Sequence, residues 1–288
     1  MIITMLSRGH ALLLGYPGSA KTLTAKLVAE ALGLDFRRIQ MTSDLLPTDI
    51  VGTKIVDPKT GDLRTVKGPI FANIVLVDEI NRGNPKTQAA LLEAMQEYQV
   101  TIEGETYRLP QPFMVIATLN PIETQGIFPL PQAQLDRFSI SLDFRYPNTD
   151  EEVEILTRDH KNKGLEPRLK PICSIDEVMK AIDEASSTYV DNVIIRYIVN
   201  IVNKLRKLEE IVLGPSPRAS VTILRIAKAM AAVRGRDYVI PDDIKYVVPY
   251  VLRHRIQLKQ SLGMNLWEQL LEIQEKIMEI LESEATPW

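Results

Sequence analysis

The chain has a single cysteine, Cys173, among 288 residues, so it can form no internal disulfide, a composition that suits a reducing compartment. Histidine is nearly as scarce. His10, His160 and His254 lie far apart and beside no cysteine pair, which removes zinc-ligand spacing. No apolar run reaches the length of about 18 residues that a membrane helix needs, and residues 1–10 carry no small-residue cleavage site. A cytoplasmic protein is therefore expected. An excess of one charge is missing too: 34 Lys plus Arg against 37 Asp plus Glu leaves a net charge of −3, with no long basic run. Broad electrostatic binding to nucleic acid is not expected from that balance.

Apolar residues, by contrast, are plentiful at 45%, enough to build a core for each of two ordinary domains in a chain of this length. Short β-rich runs at 11–14, 36–41, 74–77, 113–118 and 139–144 alternate with helical patterns, as in a parallel sheet flanked by helices. Leu23, Leu27, Val28 and Ala31 mark one face of the first long helix, with Gly33 as its stop. A second helix is predicted over 85–100. Two segments, 53–70 and 100–109, read as hairpins inserted into the alternation. Composition shifts at 145–150, where a proline and capping residues precede the acidic turn Asp150, Glu151, Glu152. Beyond it, helices are predicted at 150–161, 174–186, 191–208, 220–234, 241–253 and 265–282, with Ser174 and Glu177 in a capping-box pattern. The expected division is an α/β domain over 1–147 and an all-α domain over 148–288.

Gly15, Tyr16, Pro17, Gly18, Ser19, Ala20, Lys21 and Thr22 follow the apolar run 11–14 and lead into the first helix at Leu23. This is the setting of a phosphate-binding loop, in which backbone N–H groups and the positive end of the helix dipole meet an anion. Lys21 is expected to reach the terminal phosphates of a nucleotide and Thr22 a Mg²⁺ ion. Ala20 stands where the usual spacing has glycine; at positive φ its methyl group costs roughly 1–2 kcal/mol, and at negative φ little.

Downstream, Ile74 to Val77 end in Asp78 and Glu79. A bend at the strand end lets Asp78 hold Mg²⁺ while Glu79 reaches a water. Asn120, after the strand 113–118, either orients that water or begins a turn before Pro121. Arg137 either pairs with Asp136 or a neighbouring acid, or acts on a phosphate of another subunit. Arg218 sits by a predicted helix N-terminus, where the dipole disfavours a cation unless an anion, or exposure to solvent, relieves the conflict.

Together these parts resemble the MoxR family of AAA+ ATPases from about Gly9 onward. The resemblance is carried by residues 44–53, 68–73, 78–82, 91–97, 120–123, 129–138 and 216–220. It implies a P-loop αβα core, a helical lid, and a ring, usually a homo-hexamer, with ATP sites between neighbours. On that likeness Asn120 matches sensor 1, Arg137 the arginine finger and Arg218 sensor 2. Residues 53–70 match the helix-2 insert and 100–109 the pre-sensor-1 hairpin. The family implies chaperone-like remodelling or metal insertion, client proteins, and partners with a von Willebrand factor A domain. It also implies a base-contacting segment ahead of the loop, for which residues 1–10 are short. Two other functions fit the same residues: an ATP-binding scaffold with weak hydrolysis, given Ala20, and a nucleic-acid motor. Glu103 and Glu105 at a hairpin tip argue against the motor.

Overall fold

Strands made almost wholly of apolar residues need cover on both faces, and that requirement arranges the first half of the chain. The computed structural model describes residues 1–59, 61–120, 126–259 and 266–287. Its order begins with a short helix α1 (Ile2–Leu6), then β1 (Ala11–Gly15), α2 (Lys21–Ala31), β2 (Phe36–Gln40) and α3 (Pro47–Val51). The hairpin β3 (Gly52–Val56) and β4 (Leu63–Lys67) precedes β5 (Ile74–Asp78) and α4 (Pro85–Glu97). A second hairpin, β6 (Gln99–Ile102) and β7 (Glu105–Arg108), leads to β8 (Met114–Leu119), α5 (Gln132–Leu135) and β9 (Ile140–Phe144). Helices follow: α6 (Thr149–Lys161), α7 (Ile175–Ser187), α8 (Asn192–Arg206), α9 (Pro217–Val233), α10 (Pro241–Leu252) and α11 (Leu266–Ser283). Among them β10 (Ile211–Leu213) pairs antiparallel with β11 (Gln257–Leu258).

Five strands form one sheet in the order β2-β5-β8-β1-β9, with every pairing parallel. Side-chain alternation divides its residues between two cores. Ala11, Leu13, Ile74, Leu76, Met114 and Ile116 pack with α2 and the helices α7 to α11; Leu12, Leu14, Val75, Val77, Val115 and Ala117 pack in a second core with α4, Ile50 of α3, Val100 and Ile102 of β6 and Leu270 of α11. The expected α/β sandwich with a helical lid is what forms. The two inserted hairpins are joined to each other, since Lys54 Nζ lies 2.7 Å from Glu105 Oε1 and the Thr65 and Tyr107 hydroxyls are 2.9 Å apart.

Several boundaries differ from the sequence reading. The second long helix stops at Glu97 instead of Val100, because Tyr98 takes the left-handed conformation (φ 53°) and Gln99 enters β6. Helix α9 starts at Pro217, three residues before the expected 220, so Arg218 lies inside its first turn. Helices α1 and α3 were not expected. Both are five residues long, too short for a periodic signal, and α1 is held by Met5 packing into the lid-side core. The capping box at Ser174 forms as read. The expected helix start at Asn265, Thr60 of the first hairpin turn and residues 121–123 of the Asn120 motif lie outside the described residues.

His10 locks the base of the sheet. Its Nδ1 accepts the Val115 N–H at 3.0 Å, so Nε2 carries the proton and donates to the Met95 carbonyl at 2.9 Å, joining β8 to α4. Burial pulls its pKa down to about 4, against the opposing pull of the Met95 bond. An imidazole whose proton affinity falls on folding binds protons better in the unfolded chain, so its contribution is full above pH about 6.5 and declines as pH falls toward 4. Urea unfolding is expected to show a loss of about 2 kcal/mol from this residue between pH 7.5 and pH 5, abolished in His10→Gln. An equal pH response in both proteins would contradict the buried neutral imidazole.

Candidate active site

The parallel register brings three strand ends to one edge of the sheet. Leu14 is level with Leu119, and Val77 with Ala117, so the residues that follow β1, β5 and β8 emerge side by side. Gly15 closes β1 where a Cβ would run into the Phe144 carbonyl of β9. Gly18, at φ 78°, turns the loop in open space, a conformation that favours glycine. Ala20 takes φ 60° at the N-cap of α2, so the costly alternative foreseen for its methyl group is the one adopted. Among the described residues no side chain caps α2, and no acid sits in its first turn, whereas α6 and α7 have both. The leading N–H groups of α2 are thereby left for an anionic ligand.

Lys21 folds along this loop, its Nζ donating to the carbonyls of Gly15 (2.9 Å) and Tyr16 (2.7 Å) and to Ser19 Oγ (3.2 Å). Burial lowers its proton affinity, and the charges of Asp78 and Glu79 oppose that shift. Across the cleft, the end of β5 turns sharply. Glu79 adopts φ 54°, a left-handed conformation unusual for a non-glycine residue, and so brings its carboxylate into the same cleft as Asp78. Thr118 fastens this bend: its hydroxyl accepts the Glu79 N–H at 2.9 Å and donates to Asp78 Oδ1 at 3.2 Å. From the edge strand, Arg38 Nε lies 2.6 Å from Asp78 Oδ2, and Gln40 Nε2 donates to Glu79 Oε2 at 2.7 Å. Arg82 Nε is 3.2 Å from the same Glu79 oxygen.

The result is one cleft of about 660 Å³, lined by Gly15, Pro17, Gly18, Ser19, Ala20, Lys21, Thr22 and Leu23, and by Asp78, Glu79 and Asn120. Tyr16 contributes its carbonyl to Lys21, but its ring turns aside to stack on Tyr146 at 4.6 Å, with Trp267 of α11 at 5.9 Å. The donor set suits a Mg-nucleotide: an uncapped helix start and an ammonium for phosphate, with a hydroxyl and a carboxylate as hard oxygen ligands for the ion.

Residues 10–140 match the family model of the ATPase family associated with various cellular activities (AAA), and residues 203–276 match an AAA lid domain. The chain is 45% identical to Chaperone MoxR1 of Mycobacterium tuberculosis over 90% of its own length and 70% of that protein's. The chain belongs to the MoxR family of AAA ATPases. It is likewise 45% identical to the protein YeaC of Bacillus subtilis, over 89% of this chain and 80% of YeaC. A crystal structure assigned as an ATPase from Cytophaga hutchinsonii superposes with a TM-score of 0.85 at 39% identity, covering 96% of this chain and 87% of that one. This MoxR-family protein is therefore an ATPase built for nucleotide.

Two of the residues read from its sequence lie elsewhere. Arg137 docks on α4, its Nη1 donating to the Leu92 carbonyl at 2.7 Å, and it lines a separate hollow with Glu93 and Glu97. Arg218 is exposed in the first turn of α9, and neither arginine lines the ATPase cleft. Other residues of the cleft escaped the sequence reading: Thr118, Arg38, Gln40, and Lys26 with Glu166, paired at 2.6 Å. Arg38 and Gln40 carried a usable signal, because they alternate with buried Ile39 and so share the opposite face of β2.

Replacing Ala20 by glycine tests the loop strain in this MoxR-family fold. Ala20→Gly removes the left-handed methyl and improves the N-cap, against a higher unfolded-state entropy, for a net gain of about 1 kcal/mol. Thermal unfolding measures it. A lower melting temperature would show that Ala20 carries no strain.

Proposed function

We propose that the chain couples Mg²⁺-dependent ATP hydrolysis to chaperone-like remodelling or maturation of client proteins, as a cytoplasmic ring of usually six copies. The convergence of Lys21, Thr22, Asp78, Glu79 and Asn120 on one cleft carries this reading. Lys21 binds the terminal phosphates, and Thr22 and Asp78 are the residues to hold the ion. Mg²⁺ supplies neutralisation of the charge that builds on the phosphate oxygens. Glu79 takes a proton from the attacking water as its oxygen bonds to the γ-phosphorus and the bond to the β-phosphate oxygen breaks. Asn120 orients that water, and Gln40 and Arg82 hold the Glu79 carboxylate in place.

Arg137 serves the cleft of an adjacent copy and Arg218 that of its own or of an adjacent copy; neither lines the cleft of its own chain. The chaperone role is supported by the name of the Mycobacterium tuberculosis relative. A partner with a von Willebrand factor A domain, and a division into domains 1–147 and 148–288, belong to the same reading. The strained Ala20 favours one alternative, a nucleotide-bound scaffold that turns over slowly. Phosphate release beyond a single turnover distinguishes the two.

In calorimetry, Glu79→Gln is expected to bind ATP as the parent does while steady-state hydrolysis falls about 10²–10⁴-fold. Unchanged turnover would remove Glu79 as the base. If sites are shared between copies, turnover per chain rises steeply with protein concentration, and Arg137→Ala lowers it by about 10³-fold or more without loss of ATP binding. A flat concentration response would leave Arg137 without that role.

A further inference from the structure

The loop that carries Arg137 is held from the lid by an unusually complete set of bonds. Arg255 is 2% exposed, and its guanidinium spans the backbone on both sides of Arg137. Nε donates to Asp136 Oδ1 at 2.7 Å, and Nη2 to the carbonyls of Asp136 (3.1 Å) and Phe138 (2.6 Å). Nη1 donates to the carbonyls of Ser139, at 3.2 Å, and of Val251. Every donor of the planar fork is used, and four of the five bonds end within 136–139. Burial pushes the Arg255 pKa down to about 10, against the attraction of Asp136. The group stays charged at neutral pH.

A second lid residue reaches the same carboxylate. Ser216 occupies the N-cap of α9, a position where serine ordinarily bonds its own helix. Here its hydroxyl makes no cap and instead donates to Asp136 Oδ2 at 2.8 Å. Arg218 follows two residues later. The two oxygens of Asp136 thus bind two separate lid segments, one of which bears Arg218, and the residue next to Asp136 is Arg137.

We propose that Asp136 is a positioning residue: clamped by Arg255 and Ser216, it fixes Arg137 relative to Arg218, so that the lid presents both arginines as one unit to a neighbouring copy's nucleotide. This rests on the reading of Arg137 as a residue that acts between copies. It also makes the lid the lever. A lid movement at one cleft displaces Arg137 at the next.

The test mixes full-length variants. Asp136→Asn and Ser216→Ala each retain an intact cleft of their own, while Glu79→Gln retains an intact Arg137 loop. Asp136→Asn is expected to lose kcat at least about tenfold with the ATP KM within about threefold of the parent, and Ser216→Ala to lose about threefold. Mixing either with excess Glu79→Gln should restore turnover per intact cleft, because neighbours then supply a correctly held Arg137. Purely structural damage would not be repaired by mixing. Arg137→Ala with Glu79→Gln is the control: no recovery there overturns the reading that arginines act between copies, and this inference with it. Recovery in that control without recovery for Asp136→Asn or Ser216→Ala would overturn the positioning role alone, as would parental kcat in either variant. Should Asp136→Asn fail to fold, Ser216→Ala, which removes one hydroxyl and no charge, decides the matter by the same readings.

Discussion

One hydroxyl, that of Thr118, ties together the chemistry of the cleft. It accepts the Glu79 N–H and donates to Asp78, so a single residue of β8 fixes both acids of β5. It can do so because β5 and β8 are parallel neighbours whose register sets Asp78 level with Thr118, one step beyond the paired Val77 and Ala117. On the other side of β8 the same register aligns Leu14 with Leu119, which brings the phosphate loop to the same edge. A slip of one residue in either pairing would turn every side chain to the opposite face and separate the loop from the acids. Both faces of these strands are buried, so the slip would also exchange the side chains of the two cores.

Against this rigid edge, two residues lining the cleft are held in uncommon backbone conformations. Ala20 and Glu79 both have positive φ without being glycine, at a cost on the order of 1–3 kcal/mol each. The surrounding bonds explain how such conformations persist. Glu79 is pinned by Thr118 at its N–H and by Gln40 and Arg82 at its carboxylate. Ala20 is followed at once by the α2 helix and flanked by Ser19, whose hydroxyl is bound to the Tyr16 carbonyl. Strain of this kind aims groups: the bend at Glu79 overrides the usual divergence of successive strand side chains and points two carboxylates into one space.

Much of this was legible in the order of residues, because apolar runs and helix caps are local signals. The runs ending at Leu14, Val77 and Thr118 marked the strands, and the loop from Gly15 to Thr22 marked one wall of the cleft. The φ of Ala20 was not legible, since the sequence left both of its signs open and only the closed loop chose one. Thr118, Arg38 and Gln40 were missed for a different reason: their partners lie 39 or 40 positions away, in strands whose pairing order no local pattern states. The short helices α1 and α3 owe their existence to packing and to a cap formed by Asp49 on the Leu46 N–H, neither of which shows as periodicity. The end of α4 shifted because Tyr98 accepted a left-handed conformation that glycine or asparagine more often takes.

The lid meets the core through charge as well as through apolar contact, and that choice has a mechanical meaning. Arg253, His254 and Arg255 are all buried, and between them they bind Asp143 and Ser141 of β9 and Ser139, Phe138 and Asp136 just before it. Taking two guanidinium groups out of water costs several kcal/mol each, so an apolar interface of the same size would hold the lid at least as firmly. Apolar faces, however, slide past one another with little change in energy, because the hydrophobic effect has no direction. A buried arginine fork loses its bonds over a displacement of about an ångström, since such bonds weaken steeply with distance and angle. His254 sharpens this further, for burial and the adjoining arginines hold it well below its usual pKa, and as a neutral ring it has one donor and one acceptor to place. The clamp therefore adds directional restraint more than adhesion: the lid and the Arg137 loop must move together, or the buried charges are left unpaired.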